Sequence, residues 1–118
     1  MRKAVTLAVC GTLLLSACAN GIPQIAQGLP RAFGPTSDFD ARIRQRFPVG
    51  SSEGILVAEL RAEKFTIVEV HDPAEQYRHN AYYEHHAFPC RETWTVRWTA
   101  DDGHIVGIEG RGSGDLCL

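Results

Sequence analysis

The chain has 118 residues, with 12 basic and 14 acidic side chains and a formal charge of −2 at pH 7. Without Arg2 and Lys3 the balance is 10 basic to 14 acidic residues, a net charge of −4. Nothing in this balance argues for nucleic acid or an anionic membrane surface as a partner, because both favour basic patches. The length allows one domain with a modest core.

Residues 1–18 have the three parts of a secretory signal peptide: a basic start, an uncharged apolar run and small residues before a cysteine. The apolar run is about a dozen residues, short of the ~20 that a membrane-spanning helix needs. It ends in Leu15-Ser16-Ala17-Cys18, which matches a lipobox, where bacterial processing attaches fatty acids such as palmitate to the cysteine. We expect residues 1–17 to be the leader. Ordinary signal cleavage is the alternative, because Ala17-Cys18-Ala19 also fits the small-x-small pattern.

Lipidation of Cys18 has a consequence for the other cysteines. Cys10 leaves with the leader, so Cys90 and Cys117 remain as a pair in an oxidising compartment, and a disulfide is predicted. Without lipidation one thiol is left over. Ala19, rather than Asp, follows the lipidated cysteine. In the enterobacterial sorting rule this indicates the outer membrane, with the domain lipid-anchored and facing the periplasm.

Residues 18–36 are predicted to be the lipidated cysteine and a tether, because proline and glycine are dense and no helical or strand period is sustained. Fully extended, the 18 residues after the cysteine would reach at most ~60 Å. The alternative is that apolar residues in this segment dock on a partner or on the domain itself. These residues are Ile22, Ile25, Leu29 and Phe33.

Two short helices are predicted next. Ser37 opens a capping box with Asp40, and apolar residues recur at helical spacing until Pro48 ends the helix. The apolar residues are Phe39, Ile43 and Phe47. After a turn at 49–52, a serine caps a second helix whose residues 55–60 are mostly apolar. We expect this helix to be buried over a broad face and to form a helical hairpin with the first.

The pattern then changes to that of a sheet. Residues 65–70 are rich in β-branched side chains, residues 93–99 alternate between polar and apolar, and residues 104–110 are predicted to return beside them. The side chains expected to face inward are Trp94, Val96 and Trp98. Residues 37–118 are therefore predicted to form a single α+β domain, with two short helices packed on a three- to four-stranded antiparallel sheet.

The register of the last hairpin is predicted from the faces of its strands. A three-residue loop at 101–103 sets Trp98 opposite Val106 and keeps the large apolar groups on one face. A two-residue Asp-Gly turn would divide these groups between the faces and is disfavoured. Continued to its end, the register places Cys90 opposite Gly114, within reach of the second cysteine of the predicted disulfide. In the chain-entropy model such a bond contributes roughly 3 kcal/mol.

Residues 71–89 hold four of the five histidines and all three tyrosines. A structureless loop of this length is uncommon in a compact domain, so residues 81–87 are expected to form another strand. Imidazoles are common metal ligands, but their spacing here matches no defined zinc site. Neither a metal nor a cofactor is expected. The weak candidates for metal ligands are His79, His85 and His86.

The sequence shows no enzyme constellation. It contains no glycine-rich phosphate loop, no nucleophile elbow and no pair of carboxylates in an apolar setting. The available acid–base groups, Glu92 and Glu109, are expected at outward strand positions. We therefore expect a binding protein and not an enzyme.

The order of these elements resembles that of the BamE-like (SmpA/OmlA) small lipoproteins. The likeness comprises the lipobox, the tether, two short helices joined at Val49-Gly50-Ser51-Ser52, and the antiparallel strands after them. It departs from that family after Leu60, where Arg-Ala-Glu-Lys-Phe stands in place of Leu-Gly-x-Pro. The resemblance implies a helical pair on a three-stranded sheet and a role in assembling outer-membrane β-barrel proteins.

Three functions follow as expectations. The first is a lipid-anchored interaction module that binds an envelope protein through the exposed face or edge of its sheet. The second is a ligand- or metal-binding lipoprotein that uses the histidine-rich segment. The third is an inhibitor of a periplasmic hydrolase, by likeness to the fold of the β-lactamase inhibitor protein. No nucleic-acid partner is expected.

Overall fold

The computed structural model describes residues 22–29, 37–87 and 90–115. A short 3-10 helix at Gln24–Ala26 is followed by two α-helices and four strands. The helices are α1 (Ser37–Arg46) and α2 (Glu53–Ala62), and the strands are β1 (Thr66–Glu69), β2 (His79–Ala87), β3 (Cys90–Asp101) and β4 (His104–Asp115). The strands pair in sequence order, each antiparallel to its neighbour. The predicted α+β class, two short helices with a four-stranded antiparallel sheet, is confirmed.

Helix α1 packs one apolar stripe on the sheet, as its spacing predicts. The fully or almost fully buried residues of this stripe are Phe39, Ile43 and Phe47. The rings of Phe39 and Trp94 meet at a centroid distance of 5.1 Å. On the exposed side, Arg44 Nε donates to Asp40 Oδ2 at 2.8 Å, and this hydrogen bond raises the pKa of the Arg44 guanidinium. The Ser37 side chain, predicted to cap the helix, lies outside the side chains that the structure describes.

Helix α2 buries a narrower face than predicted. Ser52 caps its start, with Oγ accepting from the Ile55 amide at 3.3 Å. Leu56 and Leu60 are fully buried, but Ile55 is 61% exposed. The expectation of burial over a broad face is therefore wrong. Val57 is half-buried against the core, and Ala58 is exposed like Ile55.

The end of α2 is a Schellman motif. Lys64 adopts a left-handed conformation, with φ of 72°. Its amide donates to the Arg61 carbonyl at 3.0 Å, and the Phe65 amide donates to the Leu60 carbonyl at 2.9 Å. Phe65 and Leu60 are both buried, which is the apolar contact that accompanies this motif. The chain thereby turns sharply from the helix into β1.

The strand faces agree with the predicted alternation. Trp94, Val96 and Trp98 all point to the helical side of the sheet, where they are buried. Ala81 of β2 and Ile108 of β4 lie beside them in the ladder and are also buried. One continuous core therefore fills the space between the helices and the sheet.

The predicted register of the last hairpin is wrong. Asp102 and Gly103 have φ of 53° and 76°, which is the two-residue type I′ turn that an Asp-Gly pair favours. A bulge follows, since Ala100 pairs with Ile105 but Thr99 pairs with Gly107, and Val106 is left as the extra residue. The bulge restores the alternation, so that Ile105 and Ile108 are both buried and Trp98 lies opposite Ile108.

Helix α1 and the turn after it cover the outer edge of β4. The Gly110 amide, which points away from β3, donates to Asp40 Oδ1 of α1 at 2.8 Å. Nearer the hairpin, the Gly50 amide donates to the Ile105 carbonyl at 2.7 Å, and the Ile105 amide donates to the Ser51 carbonyl at 2.9 Å. These bonds satisfy edge groups that would otherwise be open to pairing with another chain.

Part of the segment expected to be a tether packs on the domain. Ile25 and Ala26 are buried members of the core, and Ile22 and Leu29 pack against it. For residues 22–29 the structure therefore shows docking on the domain itself, and these residues are not a free tether. Phe33, which was grouped with these residues, lies outside the described ranges.

Candidate binding surface

The helices cover one face of the sheet and leave the other, here called the open face, without a helical layer. Strand alternation and register assign to it Val68, Asn80, Tyr82, Glu84, His86, Thr93, Thr95, Arg97, Glu109 and Arg111. Tyr82 lies opposite Thr95, and Thr95 lies opposite Arg111, which forms one row across three strands. Tyr82 is 37% exposed. The open face thus presents mixed polar, charged and aromatic side chains on four paired strands.

The connection between β1 and β2, residues 70–78, folds over part of the open face in a defined conformation. The Arg78 guanidinium donates to the backbone carbonyls of Asp72 and Glu75. The Arg78 amide donates to Thr99 Oγ1 of β3 at 3.1 Å. Asp72 Oδ1 also accepts from the Ala74 amide at 2.9 Å, a bond within the turn. One arginine therefore ties this long connection to itself and to the sheet.

Tyr77 and Arg97 join the connection to the strands. Tyr77 is buried, and a Cβ at Gly107 would lie only 3.7 Å from its ring, so the ring rests on the backbone of β4. The Arg97 guanidinium carbon lies 5.4 Å from the Tyr77 ring centroid, a cation–π contact. Arg97 Nε also donates to Glu109 at 3.1 Å, and Arg97 Nη1 lies 3.8 Å from Glu75. Sequence alternation indicated an outward Arg97 but gave no signal that Tyr77 would lie under it.

A cleft of about 390 Å³ lies between the connection and the sheet. Its polar lining consists of Glu69, His71, Asp72, Glu75, Asn80 and Arg97. Asn80 Oδ1 is buried and has no hydrogen-bond partner among the residues described. The lining holds three carboxylates against one guanidinium, which is already paired with Glu109. An N–H donor of positive charge is the chemistry that complements such a lining.

A second polar cluster lies on the helical side and joins four elements. Trp98 Nε1 donates to Glu53 Oε2 at 2.8 Å. The His79 ring stacks on Trp98 at 5.2 Å and 18°, with Nε2 at 3.3 Å from Glu53 and Nδ1 at 3.1 Å from Glu69. The cluster connects the start of α2 to β1, β2 and β3. We assign it a structural role, because the Trp98 indole nitrogen and both ring nitrogens of His79 have carboxylate partners within the fold.

The structure does not bring the three candidate metal ligands together. His79 and His85 share the helical side of β2 but lie six residues apart, about 20 Å along a strand. His86 lies on the open face, where Nε2 is 3.5 Å from Glu84. Among the described residues, no group of three or more His, Cys, Asp or Glu side chains is arranged to hold a metal ion.

The two acid–base candidates occupy opposite faces. Glu109 is on the open face, as predicted, and pairs with Arg97. The prediction that Glu92 points outward is wrong, because it lies two residues before Trp94 on the same side of β3 and is 9% exposed. Strand alternation had already required this, since residues of one parity share a face.

The cysteine predictions fall mainly outside the described residues. Cys90 begins β3 opposite Ala87, while Cys18 and Cys117 are not among the residues described. The expected pairing of Cys90 with Gly114 is wrong, because Gly114 lies opposite Glu92. The ladder continues to Arg91 and Asp115, next to Cys90 and two residues before Cys117. Lipidation of Cys18 and the disulfide stay predictions.

None of the helices in residues 22–29, 37–87 and 90–115 is long and apolar enough to cross a membrane. Comparison with protein-family models, with curated proteins and with solved structures gives no match for this chain.

Proposed function

We propose that this protein is a lipid-anchored lipoprotein of the outer membrane that faces the periplasm and binds another envelope protein through its open face. The observation that carries the proposal is the open face itself: a four-stranded sheet surface without a helical layer, with exposed aromatic and charged side chains. The proposed activity is binding and not catalysis.

The chemistry of the open face supports a protein partner. The row of Tyr82, Thr95 and Arg111 combines an aromatic ring, a hydroxyl and a guanidinium. Tyrosine and arginine are enriched in protein interfaces, because both supply contact area and polar groups together. Val68, 40% exposed, adds an apolar position at the β1 end of the same face. Because all these groups project from paired strands, binding would order few of them further.

The proposed location rests on the sequence. The apolar run that ends in Leu15-Ser16-Ala17-Cys18 supports processing and acylation at Cys18, and Ala19 supports sorting to the outer membrane. The resemblance in element order to the BamE-like lipoproteins supports a partner that acts in envelope assembly.

Site-specific photocrosslinking in intact cells tests the proposal. A benzophenone amino acid at Tyr82 or Thr95 should give one protein adduct of defined mass, because both positions lie in the proposed interface. The matched control is Val49, which is 65% exposed but lies in the turn between the helices. The same adduct from Val49, or none from either open-face position, would contradict the proposal. Arg111→Glu should reduce the adduct at Tyr82 several-fold.

A second candidate function, ligand binding, is favoured by the cleft and its buried Asn80 Oδ1. The carboxylates of the lining favour a small cationic amine over an anion. Isothermal titration with putrescine should give saturable binding that Glu75→Gln weakens. Asp101→Asn is the control, since it removes an exposed carboxylate outside the cleft. Zinc is the second probe, because His71 and Asp72 also line the cleft. Absence of heat with both probes would exclude this candidate.

A further inference from the structure

The segment 22–29 is fixed to the helical side of the domain by specific bonds. The Ile25 amide donates to Glu63 Oε1 at 2.8 Å, just beyond the end of α2. Arg42 of α1 donates from Nη1 to the carbonyls of Ile25, at 3.2 Å, and Gln27, at 2.5 Å. Ile25 is itself a buried core residue. The segment is therefore part of the helical layer and not a free spacer.

This attachment shortens the distance available between the domain and a lipid on Cys18. Only Ala19, Asn20 and Gly21 separate that cysteine from Ile22. Four residue steps span at most about 14 Å when fully extended. A tether of residues 19–36 would instead have allowed ~60 Å. The side of the domain that carries residues 22–29 must therefore lie close to the bilayer surface.

The exposed side of α2 is compatible with contact to lipid headgroups, because it is mostly small and uncharged. Its solvent-facing residues are Gly54, Ile55, Ala58, Arg61 and Ala62. This stripe holds no acidic side chain and a single arginine at its end. Ile55, at 61% exposed, is an apolar side chain without a place in the core. A stripe without carboxylates can approach anionic lipid headgroups without local charge repulsion, and burial of Ile55 in the interface would be favourable.

The charge distribution favours the same orientation. Residues 37–64, which contain both helices, carry five basic and five acidic side chains. Residues 65–115, which contain the sheet, carry four basic and nine acidic side chains. Anionic lipid headgroups would repel the sheet part, and the helical part would experience no net repulsion.

We propose that the bilayer covers the helical layer of the anchored protein, with the exposed stripe of α2 in the headgroup region and the open face directed into the periplasm. This inference depends on the proposed lipidation of Cys18. In this orientation lipid contacts the exposed Ile55 side chain, and the open face stays accessible to a protein partner.

Lipid-quenching measurements on the full lipidated protein test this orientation. The protein is reconstituted into vesicles of phosphatidylethanolamine and phosphatidylglycerol that contain headgroup nitroxide lipid. A fluorescent amino acid at Ala58 should be quenched several-fold more than one at Tyr82. Equal quenching, or stronger quenching at Tyr82, would overturn the proposal. A long Gly-Ser insertion between Asn20 and Gly21 should lower the quenching at Ala58.

A pair of variants separates lipid contact from other effects. Ile55→Asp should reduce quenching at Ala58 without lowering the melting temperature, because the side chain is exposed. Val106→Asp is the matched control, since Val106 is 52% exposed in the sheet part and should leave quenching unchanged. Unchanged quenching in Ile55→Asp would count against the proposal. Vesicle flotation tests lipidation separately. Protein that does not float with the vesicles would refute the lipid anchor. Protein that floats but is quenched equally at Ala58 and Tyr82 would refute only the orientation.

Discussion

Replacing Gly110 with alanine should destabilise the domain, because α1 lies directly over this position in β4. A Cβ atom at Gly110 would lie 2.7 Å from Ile43 Cγ1 and 3.0 Å from Phe39 Cδ2. Both neighbours are fully buried, so neither side chain has space into which to move. The helix cannot retreat easily, because Asp40 Oδ1 accepts the Gly110 amide at 2.8 Å.

The expected magnitude follows from two opposing effects. Overpacking a filled core site costs about 1–3 kcal/mol. Alanine in place of glycine raises the free energy of unfolding by about 0.5–1 kcal/mol, because it restricts the conformations of the unfolded chain. The free energy of unfolding should therefore fall by about 1–2 kcal/mol, which lowers the Tm of a domain of this size by about 5–15 °C. Gly107 is the matched control in the same strand, because its Cβ would make an ordinary contact of 3.7 Å with Tyr77.

Urea unfolding followed by tryptophan fluorescence measures the effect, since Trp94 and Trp98 are both buried and report on the core. Gly107→Ala should be neutral or stabilising by up to about 1 kcal/mol. Adding Ile43→Ala to Gly110→Ala removes the closest contact and should cost less than the sum of the single effects. Equal stability of Gly110→Ala and Gly107→Ala would contradict the predicted clash with Ile43 and Phe39, because both variants would then show only the effect of restricting the unfolded chain.

Three further predictions concern the polar cluster, the cysteines and the anchor. Glu53→Ala should lower the free energy of unfolding by about 1–3 kcal/mol, because the buried Trp98 indole loses its acceptor; Glu53→Gln, which retains an oxygen, should lose less in the same urea titration. Reduction of the predicted Cys90–Cys117 disulfide should lower the free energy of unfolding of the wild type by about 3–4 kcal/mol and should not change that of Cys90→Ser. Two free thiols in the denatured, unreduced protein would refute this disulfide. Cys18→Ala should abolish leader cleavage and detergent-phase partitioning, and unchanged partitioning would refute lipidation.

Local structure was largely predictable because its signals lie within a few consecutive residues. The repeat of Phe39, Ile43 and Phe47 specifies one helical stripe, and Pro48 specifies where it ends. The alternation around Val96 likewise specifies which side chains of β3 enter the core. These patterns depend on the periods of helix and strand alone, and so the α+β class followed from them.

The candidate binding surface was less predictable. Alternation predicted that Arg97 and Glu109 face away from the core, and the structure pairs them. Nothing in the sequence indicated that residues 70–78 would fold back over this face or that Tyr77 would pack on Gly107. The conformation of this connection depends on Arg78, whose guanidinium donates to backbone carbonyl groups. Every residue has a backbone carbonyl, so these hydrogen bonds cannot be recognised from the side chains in the sequence.

The sequence by itself determined the two helices, the inward face of Trp94, Val96 and Trp98 and the chain's charge balance, and it predicts the processing site at Cys18. Only the tertiary structure decided the register of β3 with β4, the bulge at Val106 and the docking of residues 22–29 on the helical layer. The physical reason is the range of the interactions concerned. Period and composition act over one turn or one strand, whereas a register or a docked segment is selected by contacts between residues distant in the chain, such as Ile25 with Glu63.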